Sequence, residues 1–299
     1  MSYIRELTEK KLAHPPAWLP NNVHYETLMG SVAYGVSSDT SDMDIYAFCV
    51  PPKEDIFPHL RGEIIGFGTQ KHRFSNYQEH HVKDDDAMGG KGRDYDLNCY
   101  NIVDYFQLVM GNNPNMIDSL FTPDNCVLHI TRVGQMVREK RKMFLHKKCW
   151  HTFKGYAYQQ VNKMGKKERE SSKRQAMIEE HGFDLKFAYH VVRLLNEVEM
   201  LMAEGDLDLQ RNREQLKSIR RGDWTEQQIR DYFAAKEKEL EALYEKSTLP
   251  WGPDEAAIKQ LLLDCLEEHY GSLAKCVEMP DKYKTALDEI SEIVRRVSQ

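Results

Sequence analysis

With 299 residues, 41% of them hydrophobic and 29% charged, the chain has a globular composition and the length for two packed units. No apolar run approaches the roughly 20 residues of a membrane helix, and the opening MSYIRELTEKK carries charge where a secretory signal carries an apolar stretch. The net charge of −6 is unevenly spread: residues 129–193 hold 16 Lys/Arg against 6 Asp/Glu, while the segments on either side are acidic. A basic stretch between acidic ones suits contact with phosphate, or forms a solvated helix face.

In chain order, residues 1–22 end in Pro15, Pro16 and Pro20 and read as an arm leading to a strand. His24–Met29 and Asp44–Val50 are β-rich, and Pro51-Pro52 ends the second. Residues 62–68 and the region around Phe74 offer further strands. The stretch DDDAMGGKGR over 84–93 has charge and glycine without apolar periodicity, which predicts a mobile loop. His80-His81 with Asp84, Asp85 and Asp86 show no recurring metal-ligand spacing and read as part of that solvated region. Tyr95, Leu97 and Cys99 alternate with Asp96 and Asn98, the mark of a half-buried strand.

Beyond residue 100 the pattern is helical. Ile102–Met110 is stopped by Gly111 and the Asn113-Pro114 break. Further helices are expected near 130–144, 150–164, 183–204, 209–220, 226–245 and 254–270. Gly205 serves as a left-handed cap, and Thr225 with Gln228 forms a capping box. The fold expected is α+β: an N-terminal unit over 1–125 with a mixed sheet and helices, then an all-helical unit over 126–299. Six cysteines lie far apart with no CxxC pair, which argues against a zinc site and a disulfide framework.

The segment that carries chemistry is LMGSVAYG over 28–35, followed by SDMDI over 41–45. A strand runs into Gly30-Ser31, where glycine permits close backbone approach to a ligand and serine adds a hydroxyl. Shortly afterwards Asp42 and Asp44 stand at i and i+2, so both carboxylates share one face of a strand. Such a pair repels itself unless a cation lies between, and Mg²⁺ takes few carboxylates with phosphate oxygens completing its shell. Two ions about 4 Å apart can clamp the attacking and leaving oxygens of a phosphoryl displacement. A solvated Asp-x-Asp pair alone is common; the coupled strand, Gly-Ser and Asp-apolar-Asp-apolar pattern is specific.

Gly30-Ser31 and Asp42-Met43-Asp44-Ile45 resemble the hallmark of the polymerase-β nucleotidyltransferase superfamily. More closely, the chain resembles predicted nucleotidyltransferases encoded near RNA-repair enzymes and in phage genomes. The shared residues are Gly30-Ser31, Tyr34-Gly35, Ser41-Asp42-Met43-Asp44, Asn113-Pro114, and Lys186 with His190-Val191-Val192-Arg193. One departure is Asp118, where glutamate is expected. The resemblance implies Mg²⁺ or Mn²⁺, two ions, as cofactor, a nucleoside triphosphate as substrate, and nucleotide contacts from Gly30, Ser31, Tyr34 and Ser41. It also implies a third carboxylate on a neighbouring strand, as metal ligand or general base; Asp96 is the candidate and Asp94, on the same face, the reserve. The compartment implied is the cytoplasm, bacterial or that of a host cell.

On the helix over 183–202, Phe187, Val191, Leu194, Val198 and Leu201 form the core stripe. Lys186, His190 and Arg193 form a second stripe, suited to the phosphates of a nucleotide or merely solvated. Tyr156 and Tyr158 either stack a base or fill core. The function expected is transfer of a nucleoside monophosphate from NTP to a hydroxyl, with an RNA 3′ end as acceptor. The rivals are a catalytically weak, antitoxin-like binding protein of the same fold and a phosphohydrolase using His80 and His81.

Overall fold

The computed structural model describes residues 2–37, 42–165, 172–274 and 282–297. Five strands, β1 (Val23–Leu28), β2 (Met43–Cys49), β3 (Asn76–Asp84), β4 (Arg93–Asn101) and β5 (Val127–Ile130), form one sheet in the order β3-β4-β2-β1-β5. β2 and β4 run parallel, and every other pair is antiparallel. The sheet is therefore mixed. From Arg132 onward the described chain is helical, and none of its helices is long and apolar enough to cross a membrane.

The alternation of β2 and β4 divides the core. Ile45, Ala47, Cys49, Leu97 and Cys99 pack with Ile4, Leu7 and Leu19 on one face. Phe48 and Tyr25 point to the other, into a core that continues through Ile102, Tyr105 and Ile117 to Val191, Leu194 and Ile258. Asp44, two alternations before Phe48, lies on this second face, toward the helices.

The N-terminal stretch is more than an arm. Residues Tyr3–Glu9 form helix α1, capped by Ser2 and held by the buried carboxylate of Glu26, which accepts from Ser2 Oγ (2.6 Å), Tyr3 N (2.7 Å) and Ile4 N (3.1 Å). Its partner is more than 20 residues away, so no local pattern shows it. Residues 62–68 form turns instead of a strand, because Gly62, Gly66 and Gly68 all adopt left-handed backbone. The break at Asn113-Pro114 is also a start. Asn113 caps helix α6 (Pro114–Phe121), accepting from Asn115 N and Met116 N, with proline in the first turn where its missing N–H costs nothing.

The short helix α2 (Gly30–Ala33) follows β1 directly. The remaining helices are α3 (Lys53–Ile56), α4 (Ala87–Gly90), α5 (Ile102–Met110), α7 (Arg132–Glu139), α8 (Cys149–Met164), α9 (Ser172–His181) and α10 (Leu185–Glu204). After them come α11 (Arg213–Arg220), α12 (Glu226–Lys246), α13 (Glu255–Tyr270) and α14 (Lys282–Val297). Helix α10 ends at the expected cap, with Gly205 closing the last turn at φ 60°, and it starts at Leu185 behind Asp184, whose side chain accepts from Lys186 N and Phe187 N. The Thr225–Gln228 capping box opens α12. The sheet draws β5 from past position 125, and α13 returns to it, with His269 hydrogen-bonded to His24 of β1 (2.9 Å).

Candidate active site

The parallel pairing of β2 with β4 brings Asp44 directly opposite Asp96. Both carboxylates stand at the strand starts, on the face turned to the helices. Asp42 precedes β2 by one residue and is exposed, and Asp94 lies two residues before Asp96, near the start of β4. Asp44 is held in place from below: Met29 N donates to its carbonyl (2.7 Å), and Gly30 lies against its carboxylate. A Cβ on Gly30 would come within 2.0 Å of Asp44 Oδ2, and the residue sits at φ +63°. Glycine in the Gly-Ser signature thus makes room for the aspartate itself.

Burial pushes the Asp44 carboxyl above its ordinary range, and the charges of Asp96 and Asp42 push the same way, while Lys186 and His80 oppose. Among the described residues Asp44 forms no ion pair that would offset this burial. The donors available are hard carboxylate oxygens, the set that a divalent Mg²⁺ or Mn²⁺ takes. Among the described residues, no three His, Cys, Asp or Glu side chains stand close enough together to hold a metal ion as they are placed. Asp44 and Asp96 are paired in register, whereas Asp42 is exposed. Ser41, an expected nucleotide contact, lies outside the described residues.

Asp96 is oriented by a bulge in β3. The ladder to β4 shifts between Glu79 and Val82, and His81 takes a left-handed φ of 57°. Its N–H then donates to Asp96 Oδ1 (2.8 Å), and His80 Nδ1 lies 3.5 Å from the same oxygen. The expectation of a solvated loop for His80 and His81 is corrected here: both are strand residues beside the acidic pair. The histidine doublet was visible in the sequence, but the bulge that aims it was not.

The basic stripe of α10 is divided by depth. Lys186 is exposed on the first turn, near enough to act on Asp44. His190 is partly covered, and its imidazole is held well below its usual range by burial and by the surrounding Arg193, Lys186, Arg174 and Arg220. It is neutral. Arg193 is 5% exposed and closes a buried network instead of facing a ligand. Its Nη1 donates to Asp118 Oδ2, to Glu197 Oε1 (3.1 Å) and to the Tyr34 hydroxyl (2.5 Å), while the guanidinium lies over the Tyr34 ring. Tyr34, 3% exposed, donates its own hydroxyl to Asp118 Oδ2 (2.7 Å). Arg193 and Tyr34, expected as nucleotide contacts, thus have buried protein partners. The helical stripe lies at i, i+4 and i+7, but it tilts into the core, so its third member is a structural cation. Asp118, the departure from the family pattern, is its counter-charge.

Tyr156 accepts from Asn113 Nδ2 (2.9 Å) and is half-buried, whereas Tyr158 is exposed with its ring edge-on to Phe233. Three further groups grip the turn after Gly30-Ser31 and left no local signal in the sequence. Gln210 Nε2 donates to Ala33 O (3.2 Å), Arg220 Nη1 donates to Val36 O (2.8 Å), and Gly35 lies against Gln210 and Arg213.

A mixed sheet bearing a Gly-Ser turn before one strand, and paired aspartates at the head of two parallel neighbours, is consistent with a polymerase-β-like domain. The chain belongs to the RNA repair pathway DNA polymerase beta family, whose model matches residues 4–264. It is also 27% identical over 146 residues to an uncharacterized 38.9 kDa protein of Enterobacteria phage T4, encoded in the nrdC-mobD intergenic region. That match takes in 48% of this chain and 38% of the phage protein's length.

Proposed function

We propose that the protein transfers a nucleoside monophosphate from NTP to a hydroxyl acceptor, an RNA 3′ end, with release of pyrophosphate. The observation that carries this reading is the register of Asp44 against Asp96, on the face toward Lys186 and beside Gly30, whose missing Cβ leaves room for the Asp44 carboxylate. In the transfer, the acceptor oxygen bonds to the α-phosphorus, the bond from that phosphorus to the β-bridging oxygen breaks, and pyrophosphate leaves. Asp96 has one oxygen engaged by His81 N–H and a second, with no hydrogen bond among the described residues, to take the acceptor proton. Asp42, Asp44 and Asp96 would hold Mg²⁺ or Mn²⁺, which supplies charge neutralisation at the phosphates when bound. Gly30 and Ser31 offer backbone and hydroxyl to the triphosphate, and Lys186 a mobile point charge.

RNA as acceptor is supported by the family's place in RNA repair and by the net +10 between residues 129 and 193. The test incubates the protein with each α-labelled NTP, Mg²⁺ or Mn²⁺, and RNA oligonucleotides, following label and pyrophosphate together. Label on RNA with stoichiometric pyrophosphate, lost in Asp44→Asn, is the expected result. Orthophosphate release without transfer would support the hydrolase, and nucleotide binding with neither product the binding protein.

A further inference from the structure

Four cations surround His190, and they are not equivalent. Arg193 is neutralised by Asp118 and Glu197, as described above. Arg174 pairs with the buried carboxylate of Asp184 (3.1 Å) and stacks over Phe187. Lys186 and Arg220 have no carboxylate within ion-pair range among the described residues. Arg221, just past α11, is taken by Asp223 (2.7 Å) and Lys217 by Glu214 (3.0 Å), so among the described residues Arg220 is the cation of the last turn without an ion pair. Two cations without an ion-pair partner among the described residues thus act on a neutral histidine, an arrangement that favours an anion.

The position of Arg220 says which part of a ligand it would meet. One of its five N–H donors goes to Val36 O, and Val36 N donates in turn to Ser31 O (2.9 Å). The guanidinium therefore stands two hydrogen bonds from the Gly30-Ser31 turn, with its remaining donors unassigned and its side chain exposed. Lys186 belongs to α10 and acts on Asp44, so the two cations come from different helices. Arginine presents a planar fork matched to phosphate oxygens, where lysine presents one point charge.

We propose that Arg220 is a triphosphate-binding residue: together with Lys186 it takes the β- and γ-phosphates of the bound nucleotide while its bond to Val36 fixes the turn that carries Gly30-Ser31. The assignment rests on the nucleotidyltransferase reading above. It makes α11 part of the nucleotide site, although the sequence motifs stop short of it.

The experiment measures ATP and AMP binding by calorimetry with Mg²⁺ and no acceptor, for the wild type, Arg220→Ala and Arg220→Lys. Arg220→Ala should raise the Kd for ATP about tenfold or more, since charge-assisted hydrogen bonds contribute about 1.5–3 kcal/mol. AMP, which lacks the outer phosphates, should keep its Kd within about twofold, and Arg220→Lys should recover part of the ATP affinity. Equal losses for ATP and AMP would overturn the proposal in favour of a purely structural tie to Val36. Unchanged ATP binding, with or without weaker RNA binding, would overturn it too. A wild type that binds ATP but makes no transfer product would defeat the nucleotidyltransferase reading while leaving the phosphate contact measurable. A wild type that binds no ATP would defeat both.

Discussion

Replacing Gly30 with alanine tests whether the glycine exists for Asp44. Two costs combine. A left-handed φ of +63° costs a non-glycine residue about 1–2 kcal/mol. The new methyl would stand 2.0 Å from Asp44 Oδ2 and 3.1 Å from its Cγ, while ordinary contact begins at 3.4 Å. The carboxylate has to retreat by more than 1 Å, and relieving such overpacking costs about 1–3 kcal/mol. The sum is a destabilisation of about 2–5 kcal/mol, read from urea denaturation with linear extrapolation. Transfer should fall about 100-fold or more, because a displacement of that size at a reacting centre has that effect. The decisive comparison is the same substitution in an Asp44→Ala background. There the clashing atoms are gone and the remaining Cβ lies 3.6 Å away, so only the backbone cost of about 1–2 kcal/mol should persist. The coupling between the two positions is then about 1–3 kcal/mol. Equal destabilisation in both backgrounds would refute the close approach of Gly30 to Asp44.

Arg193→Met should destabilise the fold by about 3–5 kcal/mol, because it leaves Asp118 and Glu197 buried without their cation. A solvated phosphate-binding arginine would cost less than about 0.5 kcal/mol, so a small shift in the denaturation midpoint would contradict the buried network. His24 supplies a pH test. Its ring is held at about 4 by burial and by His269 and His129, against a reference near 6.5. Between those values the unfolded chain binds the proton and the native one does not, so stability falls as pH drops from about 6.5 to about 4, by at most about 3 kcal/mol. The buried carboxyls of Glu26, Asp118 and Glu197 are shifted upward and act in the opposite direction. Comparison with His24→Gln isolates the histidine: the variant should show a shallower loss over that window, and parallel curves would rule the pair out as its source.

The helices were legible because their punctuation is local. Thr225 with Gln228, and Gly205, are each written within a few residues of the helix end they make. Helix α1 has only Ile4 and Leu7 as its buried stripe, and it owes its position to Glu26 on a strand beyond two proline breaks. The strand at 127–130 is four residues long with every position partly buried, so it offers no alternation to read. His80 and His81 failed for a related reason. A bulge breaks the period-2 pattern, and acidic residues follow immediately, so polarity at the surface of an edge strand looks the same as polarity in a loop.

For the site, the sequence was informative in proportion to how local the geometry is. The i, i+2 spacing singles out Asp42 and Asp44, although β2 begins only at Met43, and Gly30 precedes them just past β1, the strand that pairs with β2. Asp96 required the identity of a neighbouring strand, which parallel pairing supplies only in three dimensions. Lys186, His190 and Arg193 show where spacing stops being enough. They are collinear on α10, yet the first is exposed, the second half-covered and the third buried among Asp118, Glu197 and Tyr34. Charge on a helix face is therefore a statement about ligands only after its counter-charges have been located. By that criterion Arg193 leaves the binding face, and Arg220, 27 positions later and on a different helix, becomes a candidate for it.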